Sequence, residues 1–242
     1  MIKPDQVALT QSLQMIIANV SGPEQKELLQ AVIEGIVGYV GQHEESLQNG
    51  VTRTEALKGF YEMMNDMTNN MSDDVKEMIT CKKGCSFCCR MNLDVSRTEA
   101  RVLIEYSKQK GVPIDLEHLG RQKDLNQQTH LFSTHARCVF LDPITNSCNV
   151  YDARPIVCRK YFSGGDPDLC NAVKHPTGMI PVYADIDLEL VASALMTLDQ
   201  DYDSMARMLL SELRPEVKQF IPDKTEHDDE DYDDENDEDD DY

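Results

Sequence analysis

The sequence predicts a mainly α-helical protein. It divides into a helical N-terminal region, an irregular cysteine-cluster domain with a short β-hairpin, C-terminal helices and a disordered acidic tail. Three observations carry this reading. Apolar residues recur at helical spacing on both sides of the centre, all eight cysteines lie between residues 81 and 170, and the chain ends in a run of carboxylates. The expected divisions are residues 1–80, 81–175, 176–222 and 223–242.

Residues 1–80 read as helices throughout. Pro4 suits a first helical position, with the segment running to about Val20. Ser21-Gly-Pro-Glu24 reads as a capping box with proline just inside the next helix. That helix aligns Leu28, Leu29, Val32, Ile33, Ile36, Val37 and Val40 along one stripe. A third carries Leu57, Phe60, Met64, Met67 and Met71 at the alternating spacing of a packing seam. Methionine stripes can bind copper or flexible partners, but this period fits a core-facing surface.

Further on, Ser96-Arg-Thr-Glu99 is a capping box opening a helix to about Lys110, with Gly111 and Pro113 closing it. A polar helix is expected near residues 115–130. Residues 138–151 read as two short strands around an Asp-Pro…Asn-Ser turn that brings Cys138 near Cys148. Ala153-Arg154-Pro155 then starts a helical turn bearing Cys158. Two amphipathic helices follow, one with Leu190, Val191, Ala194, Leu195 and Leu198 on a face, the next with Met205, Leu209 and Leu213.

Charge is concentrated at the end. The 242-residue chain has a formal net charge of −21, of which residues 226–242 contribute 13 acidic groups and no lysine or arginine. Such a run cannot bury apolar surface and repels itself, so it is expected to be disordered, either solubilising the chain or docking a basic partner. The N-terminus lacks the basic flank and apolar stretch of a secretory signal, and no segment is apolar for long enough to cross a bilayer. A cytoplasmic location is therefore expected, with no membrane partner, and there thiols stay reduced. Nucleic acid is disfavoured by the net charge.

Eight cysteines in a reducing compartment point to metal or redox chemistry before disulfides. Thiolates are strong ligands for zinc and for iron–sulfur clusters, which typically take four. The stretch CKKGCSFCCR supplies Cys81, Cys85 and Cys88 at spacings that let one irregular loop turn them inward, with Gly84 permitting the tight fold. Adjacent Cys88 and Cys89 are expected to point apart, turning one toward a second site. Cys138, Cys148, Cys158 and Cys170 are too widely spaced to form a knuckle alone and must fold back on the first loop. Lys82, Lys83, Arg90, Arg137, Arg154, Arg159 and Lys160 face only Asp142 and Asp152 in the two segments, a basic surplus that would offset an anionic metal–thiolate centre. Arg154 and Arg159 are candidates to grip an anionic cofactor or substrate.

CKKGCSFCCR, then CVFL…CNVYDARPIVCRKYF and a last cysteine, resembles the YkgJ-like cysteine-cluster family, or CxxCxxCC zinc- or iron-chelating domain, over residues 81–170. Here the first gap is three residues where the family name implies two. The resemblance implies a cysteine-ligated zinc or iron site and no agreed reaction. One branch, the flagellin lysine methylases, transfers methyl groups to lysine. The three-cysteine spacing with Phe87 also occurs in radical S-adenosylmethionine enzymes, but the remaining chain reads as helices rather than a barrel.

The reading is thus a cytoplasmic metal-binding protein with Cys81, Cys85, Cys88, Cys89, Cys138, Cys148, Cys158 and Cys170 as ligands. The metal is an iron–sulfur cluster or zinc. Left open are a methylase-like enzyme, a zinc-stabilised interaction module contacting a protein through its helices or tail, and thiol–disulfide sensing. His175, five residues after Cys170, is a candidate ligand or proton carrier, although a lone loop histidine is more often neither, and His118, His130 and His135 surround a polar helix without ligand spacing.

Overall fold

Capping side chains decide where the helices begin. In the computed structural model, which describes residues 3–82, 84–125, 133, 135–171, 174–175 and 182–213, α1 (Gln11–Ala18) starts at Thr10, whose hydroxyl accepts from the Leu13 N–H. Pro4 lies in a separate 3-10 turn, Pro4–Gln6. A side-chain acceptor for an orphan N–H outweighs a preset φ, so this helix begins later than its proline suggests. α2 (Pro23–Gln48) does open with proline, but Gly22 at φ 73° occupies the cap and the Ser21 capping box does not form. α3 (Arg53–Asn69) has a capping box from Thr52 and Glu55, and a short α4 (Asp73–Met78) follows. Ser96 and Glu99 form the expected box at α5 (Arg97–Lys110), which ends at Gly111 in the left-handed region.

The expected polar helix is α6 (Leu116–Gln122), and the turn after Pro155 is α7 (Ile156–Lys160). The last two helices are α8 (Ile186–Leu198) and α9 (Met205–Leu213). Two small antiparallel pairs, not anticipated because each strand is too short to show a period, complete the fold. β1 (Asp94–Ser96) pairs with β4 (Tyr202–Ser204), and β2 (Phe162–Ser163) with β3 (Val182–Tyr183). The turn expected within 138–151 is closed by a single Leu141–Cys148 bridge and by Asn149 N–H donating to Phe140 O at 2.9 Å. Asp142 Oδ1 accepts from Ile144 and Thr145 inside it.

The main core joins Leu57, Phe60 and Met64 of α3 to Leu103 of α5, Leu188 and Val191 of α8, and Leu209 of α9. Met71 is buried with them although α3 has already ended. A second cluster packs Leu13, Val32, Ile36 and Val40 against Ala194. Of the α2 stripe, therefore, only the positions facing α8 are buried, and Leu29 is exposed. Gly35 permits the close crossing: a Cβ there would sit 3.2 Å from Leu190 Cδ1. The Ala8 and Thr10 N–H groups donate to Thr197 Oγ1 and Ser193 Oγ, tying the N-terminal strap to α8. Among the described residues, no helix is long and apolar enough to cross a membrane. The acidic tail lies outside the described residues.

Candidate metal centre

The first cysteine loop is held at both ends by backbone bonds. At its start, Ile79 bridges Gly164, and both the N–H and hydroxyl of Thr80 donate to Ser163 O on β2. At its end, Cys138 N–H donates to Cys89 O at 2.7 Å, bringing in the second half of the cysteine set. Between them Gly84 adopts φ 90°, a conformation that a side chain would strain. A 3-10 turn, Phe87–Arg90, then presents Cys88 and Cys89.

Ser163 is the junction for two remote thiols. Its N–H donates to Cys81 Sγ at 3.2 Å, and Cys170 Sγ donates to its hydroxyl at 3.4 Å. Burial pushes the Cys81 thiol up, the Ser163 N–H pulls it down, and Cys85, Cys88 and Cys170 push it further up. Cys85 is likewise raised by burial, with Cys88 and Cys170 adding to the rise and Lys82 opposing it. These four thiols are electrostatic neighbours.

The remaining thiols gather around the turn and α7. Burial pushes Cys138 up to about 12, with Cys148 and Cys88 adding to it. It also carries Cys158 well above the ordinary thiol value, where Cys138, Cys88 and Cys148 surround it. Cys89 and Cys88 hydrogen-bond each other, which raises Cys89 and lowers Cys88.

Arg154 and Arg159 take different parts. Arg159 is 2 % exposed, stacks on Tyr61 at 4.0 Å, and donates to Arg154 O, Asn65 Oδ1 and Asp152 O. Its guanidinium holds the fold together. Arg154 stacks on Tyr151 and acts electrostatically on Cys88, Cys148 and Cys158. Its Nε is buried without a hydrogen-bond partner among the described residues. A buried donor beside three thiols suits a thiolate acceptor. Lys82 and Arg137 act on Cys85 and Cys138, and Lys83 lies outside the described residues.

Several supports were not foreseen. Glu99 is 2 % exposed and, besides capping α5, accepts from the Ile156 N–H at 2.8 Å, fixing the start of α7. Lys160 pairs with buried Glu189 at 2.9 Å, fixing its end to α8. The signal for Glu189 was present: it is the one charge in the apolar run LELVASALM, in the first turn of α8. Nothing in the sequence distinguishes Ser163 or Asn65. The histidines have other duties: His118 Nε2 donates to Arg137 O, and His175 pairs with Asp168 at 3.3 Å. His130 lies outside the described residues.

All eight cysteines are free thiols drawn from five separate stretches. Among the described residues no three His, Cys, Asp or Glu side chains already converge to hold an ion. The donor set nevertheless suits zinc or iron: soft thiols are brought together, each able to swing about one torsion, and Arg154 Nε lacks an acceptor. Residues 80–175 match the family described as "CxxCxxCC: Putative zinc- or iron-chelating domain". This segment is similar to that family's domain, and the name is used below for the matched residues. The CxxCxxCC domain thus begins at the Thr80 clamp on β2 and ends beside the His175–Asp168 pair. No curated protein and no solved structure matches the chain.

Proposed function

We propose that this is a cytoplasmic metal-binding protein in which thiolates from Cys81, Cys85, Cys88, Cys89, Cys138, Cys148, Cys158 and Cys170 hold zinc or iron as a structural centre. The observation that carries this reading is the poverty of regular structure around these thiols. The cysteine-bearing segments contain one five-residue helix, a two-residue strand and 3-10 turns. Such segments bury too little backbone to order themselves, and metal-binding free energy supplies folding free energy where apolar burial is short. Arg154, Lys82 and Arg137 offset the negative charge of the ligands, and Ser163 orients Cys81 and Cys170. The helices around the domain, or the acidic tail, then offer the surface for a protein partner.

Elemental analysis, visible absorption and acid-labile sulfide, on protein purified without oxygen, test this reading. Zinc without sulfide supports the structural centre. Iron with sulfide would favour an iron–sulfur protein and reopen the methylase-like alternative. A metal-free protein whose thiols cycle with disulfides would refute metal binding.

A further inference from the structure

A groove of about 690 Å³ runs between α3 and the start of α8, within the range of ligand-sized clefts. Met63, Met67 and Met71 form its floor, and Gly59 leaves one wall open, since a Cβ there would meet nothing within 4 Å. Met64 turns into the core, whereas Met63 and Met67 are only half-buried, so their flexible thioethers can adapt to a guest. Carboxylates stand on both sides: Glu62 and Asp66 on α3, Asp185 and Asp187 at the start of α8. Among the described residues no lysine, arginine or histidine lines the groove.

On a chain of net charge −21, acidic residues alone mean little. Two features set these apart. Elsewhere carboxylates find partners, as Glu105 does in Lys58 and Glu212 in Arg97 and Arg101, but these four form no ion pair among the described residues. Asp185 and Asp187 serve the N-terminus of α8, where Asp185 Oδ1 accepts from the Asp187 and Leu188 N–H groups. Glu62 and Asp66 have no such local reason. They lie one turn apart on α3, where like charges repel, and Asp66 falls in the last turn, where the helix dipole favours a cation. α3 thus carries a charge pattern that costs it stability and that a bound cation offsets. A bare cation would leave the methionines unused, and a purely apolar guest would bury carboxylates unpaired. We infer that this groove docks a cationic amphipathic segment of a partner protein, its lysine or arginine side chains meeting the carboxylates and its apolar side chains seated on the methionines. The inference rests on the helical partner surface of the reading above and not on its metal.

The test measures binding of a fluorescent amphipathic peptide of lysine and leucine to the full-length chain, at about 0.15 M ionic strength, where charges more than ~8 Å apart are screened. Glu62→Gln with Asp66→Asn should weaken binding about tenfold, because the charges facing the peptide are lost. Gly59→Leu, which places a side chain in the groove and favours the helix, should weaken it at least as much. Glu24→Gln with Glu27→Gln, which removes the same charge from α2, should leave it unchanged. All variants should keep the wild-type metal content, and the groove variants a denaturation midpoint no lower than wild type. Equal weakening in both double variants, or none in Gly59→Leu, would mean that the peptide follows net charge or the acidic tail, and overturns the inference. Equal binding of a lysine–serine peptide overturns it too, since the methionines would then contribute nothing. A dimer in sedimentation that Gly59→Leu dissociates would make a second copy of the chain the occupant, again overturning it. Each of these outcomes leaves the thiol centre standing, whereas metal-free protein that still binds the peptide through the groove would refute the metal and keep the docking site.

Discussion

The helical scaffold and the cysteine segments are held by different forces. In α2, α3, α5, α8 and α9, apolar side chains interdigitate at helical spacing, and burying each Leu or Ile contributes about 1.5–3 kcal/mol. Outside α5 and α6, which lie within it, the CxxCxxCC domain has fewer such residues. Its Phe140, Val150, Ala153 and Ile156 reach the common core, but the loops between them rest on a few local bonds, such as the Cys138 N–H to Cys89 O and the Thr80 N–H and hydroxyl to Ser163 O. A helix can lose one bond and persist, whereas a loop closed by one bond cannot. Three polar clamps join the two regions at α7: Glu99 to Ile156, Arg159 to Asn65, and Lys160 to Glu189.

The largest effect should come from removing the metal. Structural zinc binding in small domains is worth on the order of 10 kcal/mol, so a chelator should release the cysteine segments while the scaffold persists. Hydrogen exchange should then speed up at the Cys138, Asn149 and Thr80 amides and change little within α2 and α8. If both regions lost protection together, they would be one cooperative unit and the contrast would not hold.

Next in size are substitutions at the clamps and in the scaffold core. Lys160→Met strands Glu189, whose side chain is 2 % exposed, as an uncompensated buried charge. A loss of about 3 kcal/mol is expected, largely recovered in the Lys160→Met, Glu189→Met double variant. Ile36→Ala, at a position wholly inside the second cluster, should cost about 3 kcal/mol as well. The two should differ in metal affinity: Lys160→Met weakens it because α7 carries Cys158, and Ile36→Ala leaves it unchanged. Denaturant titration paired with Co²⁺ competition separates these outcomes. Equal loss of affinity in both would mean that the core transmits to the thiols as directly as the clamp does.

Much of the scaffold could be read from the sequence, because helices write their own period. The seam of α3, the Ser96–Glu99 box and the two C-terminal helices are local patterns within a few turns. The start of α1 lies at Thr10 and not at Pro4 because a side-chain bond to the Leu13 N–H sets it, which proline spacing does not reveal. At the site, residue type and spacing identified the thiols, since eight cysteines in one stretch are hard to mistake. Which distant segments meet beside them could not be read. It depends on Ser163 meeting Cys81 across more than eighty residues, a long-range contact with no local periodicity. The same limit hid the different surroundings of the two arginines. Both look like basic partners for an anion, and only the fold buries Arg159 while leaving Arg154 Nε open.

The smallest expected effect is a pH dependence that belongs to the scaffold alone. His43 on α2 is buried, stacks on Phe60, and has a buried Nδ1 without a partner among the described residues. Burial first, and Arg53 second, hold it below its ordinary value of 6.5, against the pull of Glu44 and Asp199. The folded protein therefore keeps this ring neutral at pH values where the unfolded chain already protonates it. By linkage, stability must rise with pH wherever the unfolded state binds more protons. The contribution is fully present above pH 6.5, is lost as pH falls toward the lowered value, and is constant below it. Denaturation midpoints at pH 7.5 and 5.5 should differ more for the wild-type chain than for His43→Phe, which keeps the stacked ring and cannot titrate. Metal-loaded and metal-free protein should show the same difference, since His43 lies in the scaffold and not among the thiols. Equal pH dependence in wild type and His43→Phe would mean that the buried ring is not kept neutral, and that water or a shifted side chain solvates it.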